Sequence, residues 1–504
     1  MRRATLLLAI AAAFGLSSQL LFYRERLGLN FAVATILFLG FAWTTRTAGV
    51  KRGDIWMPAF ALAFATFVAV RIDAAVVTFD ILAVLSLALA TTVSTRGVEV
   101  SRLRFPVLIA EALRAATAPL WRAVPTLRIG SALVTRAAPQ LGGALPYLAG
   151  SLIAVPFVLL FAALFRAADP VFARSWEDLF DPARWWDGIA EARDRTIIAV
   201  AVAWFAAGTL ADRDRASTPR ARMGIGCQVA TAFLVSIASL FAAFVYVQIA
   251  YLFGGRDTAA AASMTFSEYA RRGFVELLAV AGLVGATLFA IELLVTRRSR
   301  IYLASLLSVI ALTGVIVASS LYRLDLYQSA YGWSELRLYA LAAIVAVAAG
   351  LAILVWSIQV GRTAFAMQPL VFVTLGIALI VNAVGPSGFV ARTNIARSLD
   401  RSATDAVARL DPWHLVSLGH GALPDLVDLR SSLPDSDRRC LDYALYLRYR
   451  LEGAESSSWQ SWNVDRERAR EAIVLLKEVF SGVKPNDPGA CRYAASAWMR
   501  TSSA

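Results

Sequence analysis

The sequence predicts an all-α protein, namely a polytopic transmembrane helical bundle with a small helical extramembrane module at the C-terminus. Long uncharged apolar runs alternate with short charged connections up to about Phe389, and the remainder of the chain is polar. The 504 residues are 58% hydrophobic and only 17% charged. Because a helix needs roughly 20 apolar residues to cross the bilayer core, the runs correspond to about 11 spans.

Each apolar run is taken as one predicted crossing. The first four occupy residues 1–93, a basic cytoplasmic linker covers 94–144, a seven-helix transmembrane core covers 145–388, and a helical tail covers 389–504. Within the tail, apolar periodicity predicts helices at 435–451 and 464–480. The predicted spans are 5–23, 28–45, 55–70, 74–93, 145–165, 196–211, 225–253, 273–296, 301–321, 338–360 and 369–385.

The distribution of arginine and lysine between loops predicts the orientation. With a cytoplasmic N-terminus, the inner segments contain 20 basic and 5 acidic residues, and such an excess is typical of the cytoplasmic side. The formal net charge of +13 therefore follows from topology. We expect no nucleic-acid partner, since that class needs a basic face with polar or aromatic readers.

The location follows from the same pattern. We predict a multi-pass protein of the bacterial cytoplasmic (inner) membrane, which is the plasma membrane of the cell, with the tail outside the cytoplasm. The basic linker 94–144 would either dock a cytosolic partner or lie along the inner leaflet as an interfacial helix. The second interpretation is favoured, because basic side chains are attracted to anionic headgroups.

Three ionisable residues lie within or at the edges of predicted spans: Asp80, Glu276 and Glu292. Charged side chains are costly in a membrane and are therefore candidates for function. Asp80 is the most interior, and Asp73 precedes it on roughly the same helical face. Glu276 continues a charged series into its span and Glu292 lies near Arg297, so structural pairing is expected for both.

The predicted outer loop 166–195 combines carboxylates with tryptophans. Aromatic rings stack on sugar faces, and paired carboxylates serve glycoside chemistry. Tryptophan is also typical of the membrane interface, which favours a simple interfacial role. The candidate ligand site comprises Trp176, Asp178, Asp181, Trp185, Trp186 and Asp187.

The cysteines and histidines do not form a metal site. Neither type has metal-ligand spacing, and no P-loop, dinucleotide-binding turn or nucleophile elbow is present. We therefore expect no cofactor. Cys440 and Cys491 both fall in the exported tail, where an oxidising compartment would let them form a disulfide.

Several short segments in the second half of the chain carry a family resemblance. They are 267–277 (SEYARRGFVEL), 391–397 (ARTNIAR), Leu410-Asp411 with Leu415, 417–419 (SLG), 422–424 (ALP) and 461–463 (SWN). In this order they resemble an uncharacterised bacterial polytopic membrane protein family catalogued as a domain of unknown function, of the DUF 4173 / DUF 4153 type. The resemblance implies no activity, ligand or catalytic residue. Thr393 stands where many family members have tyrosine.

The leading functional hypothesis is a non-enzymatic component of envelope assembly or regulation, because the tail is exported and catalytic motifs are absent. Its expected partners are the lipid bilayer and, secondarily, other envelope membrane proteins. One alternative is a secondary transporter that uses Asp80 within the membrane. Another is a membrane-embedded glycan or lipid enzyme that uses the outer loop.

Overall fold

The structure of the protein is a computed structural model. It describes residues 2–44, 50, 52–95, 97–100, 199, 227–253, 274–295, 298–361, 366–399, 410–452, 458–483 and 491. Within these residues the regular elements are helices, which agrees with the predicted all-α class. They fall into two compact units, which are described separately below.

The first unit comprises Met1–Val70, Thr78–Thr218 and Ser457–Trp462. Its described helices are α1 (Arg2–Phe22), α2 (Leu29–Thr44), a short 3₁₀ helix (Arg52–Asp54), α3 (Trp56–Val68) and most of α4 (Ala74–Ser94). Two buried contacts organise it. The amides of Leu29 and Asn30 donate to the carbonyls of Trp462 and Gln460 at 2.9 Å. The buried carboxylate of Asp54 accepts hydrogen bonds near the end of α4.

The second unit comprises Arg71–Val77, Pro219–Ser456 and Asn463–Ala504. Its described apolar helices are α5 (Cys227–Phe253), α6 (Phe274–Leu294), α7 (Arg300–Tyr331), α8 (Glu335–Val360) and α9 (Met367–Val384). These helices share a core that includes Leu234, Leu288, Leu306, Ile344 and Leu354, all at most 1% exposed.

Shorter amphipathic helices form a second core in the same unit. They are α10 (Pro386–Leu399), α11 (Pro412–Ser417), α12 (Leu423–Leu429), a 3₁₀ turn (Arg430–Ser432), α13 (Asp435–Tyr449) and α14 (Val464–Ser481). The buried side chains recur every three or four residues, which turns one face of each helix inward. They include Ile395, Leu415, Leu426, Leu441, Leu445, Ile473 and Leu476.

A bidentate ion pair and a disulfide stabilise α13. Arg430 donates from Nε and Nη2 to the two carboxylate oxygens of Asp442, each at 2.8 Å, and this contact raises the pKa of Arg430. Cys440 and Cys491 form a disulfide with a Cα–Cα distance of 4.7 Å.

Four helices of the described chain are long and apolar enough to cross a membrane: Ala74–Ser94, Arg300–Ser329, Glu335–Val360 and Met367–Val384. Nine predicted spans overlap α1–α9. The other two, 145–165 and 196–211, lie outside the described residues except for Ala199, so the count of about 11 stays a prediction.

Two helices extend beyond the spans predicted for them. Helix α7 continues to Tyr331, well past the predicted end at residue 321, and α8 begins at Glu335, before residue 338. Arg323 and Asp325 lie inside α7 and do not end it, since charged residues are good or tolerable helix formers. Gly332, at φ 77°, ends α7, and the hydroxyl of Ser334 caps α8 by accepting from the Arg337 amide.

Candidate functional site

The structure describes two of the three predicted intramembrane acids. Asp80 is completely buried in α4. Glu292 is also buried, where the Tyr302 hydroxyl donates to it at 2.6 Å and Arg298 forms an ion pair with it. Glu292 is thus paired with Tyr302 and Arg298, and Arg297, which the sequence suggested, lies outside the described residues. Helix α6 contains Glu276, but its side chain is outside the described part.

The predicted outer-loop site lies in a part of the chain that the structure does not describe. Its members are Trp176, Asp178, Asp181, Trp185, Trp186 and Asp187, which are all outside the described residues. The basic linker is outside them as well, apart from its first few positions. Both stay predictions.

A different group of polar side chains converges in the second unit, and it is here called the polar cluster. Its members come from the ends of elements that are far apart in sequence. They line or adjoin a cleft of about 470 Å³. The polar cluster consists of Arg71 and Asp73 before α4, Glu335 at the start of α8, Ser387 at the start of α10, and Asn463 and Asp465 at the start of α14.

Arg71 binds the C-terminal end of α9. Its Nε donates to the carbonyl of Asn382 at 2.7 Å and its Nη2 to the carbonyl of Ala383 at 3.1 Å. The last carbonyls of a helix lack partners within the helix and carry partial negative charge, so a guanidinium is well suited to this position. Arg71 also forms an ion pair with Asp465 at 3.3 Å.

For Asp465, burial has a larger effect on the pKa of the carboxyl than the opposing ion pair with Arg71. The residue is 6% exposed, and burial raises the pKa of its carboxyl to about 6, although Arg71 opposes the shift. Asn463 orders the same end of α14. Its side-chain oxygen accepts from the Arg466 amide at 3.1 Å, and its amide group donates to the Arg71 carbonyl at 3.0 Å.

Ser387 joins two carboxyl groups. It is 1% exposed and follows Pro386, which suits the first position of a helix. Its hydroxyl is within hydrogen-bond distance of Asp73 Oδ1 and of Glu335 Oε1, the latter at 2.5 Å. Burial raises the pKa of Asp73, while Ser387 and Arg71 act against the increase.

The stretch 391–397 attaches α10 to its surroundings. Asn394 accepts from the Trp333 amide at 2.7 Å and donates to the Trp333 carbonyl at 2.8 Å. Arg397 donates to the carbonyl of Gln328 at 3.2 Å, and Arg392 pairs with Asp425 at 2.9 Å. These motif residues therefore position helix ends.

Thr393 has a local role. Its hydroxyl donates to the Phe389 carbonyl at 2.7 Å, one turn back in the same helix. Such a bond orders the side chain within α10. The sequence resemblance placed this position within the motif, but its hydroxyl contacts lie inside the helix.

The chemistry available in the polar cluster is the binding of charge and protons. No group of three or more His, Cys, Asp or Glu residues in the described chain is placed to hold a metal ion. The Ser387 hydroxyl contacts the carboxyl groups of Asp73 and Glu335, so protons can be shared among the three side chains.

Sequence reasoning did not identify the polar cluster. The sequence contained one signal for it. Arg71 and Asp73 lie in a very short connection between two apolar runs, and a simple turn does not need a pair of charged residues. Their partners Ser387 and Asp465 lie more than 300 residues away in sequence. Local periodicity does not connect positions so distant, so only the fold brings them together.

The comparisons with known proteins identify a family and no function. A family model described as a domain of unknown function, DUF4153, matches residues 57–429, which is most of the chain. No curated protein and no solved structure matches. This chain therefore belongs to the DUF4153 family of domains of unknown function, and its long apolar helices are those expected of a membrane protein.

Proposed function

We propose that this protein is a non-enzymatic component of envelope assembly or regulation in the bacterial cytoplasmic membrane. One observation carries the proposal: side chains of the family-like segments hold backbone groups in place. Asn394 binds both backbone groups of Trp333, and Asn463 binds the Arg71 carbonyl. Residues engaged in this way build a rigid framework and are not free for a reaction.

We propose that α10–α14 lie outside the cytoplasm. The disulfide between Cys440 and Cys491 supports this side, because disulfides persist in oxidising compartments and are rare in the cytosol. The basic excess of the predicted inner loops supports it independently. In this orientation the helices would present a surface to other envelope membrane proteins.

The Arg392–Asp425 ion pair offers a test of the framework function. In cells that lack their own copy, we expect Arg392→Asp and Asp425→Arg each to leave the envelope sensitive to detergent. The double variant should restore resistance, since it rebuilds the pair with opposite polarity. The matched control is Arg438→Asp, which breaks the Arg438–Asp435 pair on the surface of α13 and should have no effect.

Two results would contradict the proposal. One is a double variant as defective as either single variant, which would mean that the identity of each charge matters for chemistry. The other is turnover of a lipid or glycan by the purified protein in a lipid bilayer.

A second candidate function is secondary transport through Asp80. It is favoured by the complete burial of this acid in a helix long enough to cross a membrane, because intramembrane acids often carry ions or protons. Proteoliposome flux should then be abolished in Asp80→Asn and unchanged in Asp428→Asn, an exposed control. Equal flux in wild type and Asp80→Asn would eliminate this candidate.

A further inference from the structure

The two contacts of Ser387 can be tested against the number of hydrogen atoms available for donation. A serine hydroxyl has one hydrogen to donate, and an ionised carboxylate has none. Ser387 nevertheless contacts oxygens of both Asp73 and Glu335. Two separate, full hydrogen bonds form when one carboxyl group is protonated and donates to Ser387 Oγ, while the hydroxyl donates to the other carboxylate; two ionised carboxylates would have to share one hydrogen in a weaker three-centre contact.

Water has little access to the Ser387 hydroxyl. Ser387 is 1% exposed, and the backbone of Gly421 lies against it. A Cβ added at Gly421 would be 3.2 Å from Ser387 Oγ and 3.3 Å from Asp73 Oδ1. A second ionised carboxylate would therefore be partly buried and would lack a donor from Ser387, which costs free energy.

Other charged and titratable groups face the two acids from the neighbouring elements. The positive charge of Arg71 favours the ionised form of Asp73. The negative charges of Asp73 and Asp465 repel each other. His414 of α11 interacts electrostatically with Glu335, and Tyr339 lies one turn further along α8, near both acids. Arg468 of α14 acts on Asp465 as well, so Asp73 and Glu335 share the charge of Arg71 with a third carboxyl group, which disfavours full ionisation of the set.

We propose that Asp73, Ser387 and Glu335 form a proton-dependent latch that holds the start of α10 against the start of α8 and the segment before α4. With one shared proton, Ser387 binds both acids and the latch is closed. Loss of that proton leaves one hydroxyl hydrogen for two carboxylates, so one contact opens. The start of α10 is then held from one side only.

The first test detects the shared proton directly. Infrared spectra of the purified protein in lipid should contain a protonated carboxyl group at neutral pH that disappears at alkaline pH. Asp73→Asn and Glu335→Gln should each remove this signal, because each eliminates one of the two acids that share the proton. Asp428→Asn is the control, because this acid is exposed and does not contact Ser387, and the signal should persist. An unchanged signal in both latch variants would overturn the proposal.

The second test follows the opening of the latch by hydrogen exchange at the start of α10. In wild type, amide exchange there should accelerate beyond its intrinsic pH dependence, by up to about tenfold per pH unit while the latch loses its proton. Asp73→Asn should abolish the extra acceleration, since an amide donates to Ser387 at every pH. Ser387→Ala should exchange rapidly throughout.

Glu335→Gln provides the same neutral donor on the other side and keeps the test interpretable if Asp73→Asn does not fold. Wild-type exchange that follows only the intrinsic pH dependence would overturn the latch. The framework function proposed above does not depend on this result, because it is tested by the Arg392–Asp425 pair.

Discussion

At the scale of single residues, side chains of this protein satisfy backbone groups at helix ends. Arg71 donates to two carbonyls of α9, and Asn394 both donates to and accepts from Trp333. Each contact replaces a partner that the helix itself does not provide. Such residues tolerate little change in length or charge, because the backbone on the other side is held by its own helix.

Gly332 should not tolerate a side chain. Its φ of 77° disfavours L-residues, and a Cβ would lie 2.5 Å from Asn394 Oδ1. We expect Gly332→Ala to reduce the free energy of unfolding by roughly 1–3 kcal/mol. Gly314→Ala inside α7 is the matched control, since its Cβ meets nothing within 4 Å and alanine favours a helix. Equal denaturation midpoints for the two variants would contradict this prediction.

Asp465 should make stability depend on pH. Burial raises the pKa of its carboxyl from 3.8 to about 6, so the folded protein binds a proton that the unfolded chain releases. Stability is therefore lost as pH rises between these values, by roughly 3 kcal/mol in total. Relative to Asp465→Asn, the wild-type melting temperature should fall over about pH 4–6 and then stay parallel. If the melting temperatures of wild type and Asp465→Asn ran parallel over the whole pH range, burial would not raise the pKa of Asp465.

At the scale of elements, the interiors of helices were predictable and their junctions were not. The apolar runs from 5 to 385 that the structure describes all coincide with helices, because backbone groups in an apolar medium must bond within the segment. The end of α7 at Tyr331 depends instead on Gly332 and on the Ser334 cap of the next helix. These are local signals that an apolar count does not detect.

Asp54, which lies just before α3, should be required for full stability of the folded protein. It is completely buried, and its Oδ2 accepts from the Ser94 hydroxyl at 2.7 Å and the Val100 amide at 2.9 Å. Asp54→Ala should therefore lower the free energy of unfolding by roughly 2–4 kcal/mol, because it leaves both donors unpaired. Asp54→Asn keeps an acceptor and should lose less. Chemical denaturation measures both, and identical losses would mean that the hydrogen bonds are not the cause.

At the scale of the whole molecule, the described chain is helical and its helices fall into two units. Segments that are distant in sequence contribute to the same unit. The second unit includes Arg71–Val77, although the residues on either side belong to the first. This interleaving explains why Asp73 and Asp80, which the sequence placed on one helical face, are assigned to different units.

The disulfide should be both a topology marker and a source of stability. In intact cells, a membrane-impermeant maleimide should label Cys440 and Cys491 only after treatment with an impermeant reductant. Cys440→Ser should lower the free energy of unfolding by roughly 4 kcal/mol, as expected for a sequence separation of 51 residues in the chain-entropy model. Labelling without reductant, or only after the cells are lysed, would contradict the predicted arrangement.

By itself, the sequence determined the helical class and the family, and it predicted membrane residence, because apolar length and ordered motifs are local properties of the chain. It also directed attention to Asp80 and Glu292, which the structure buries. Only the tertiary structure decided that Arg71, Asp73, Glu335, Ser387 and Asp465 belong to one polar cluster. Their grouping depends on how helix ends pack, and packing joins positions that no sequence period relates.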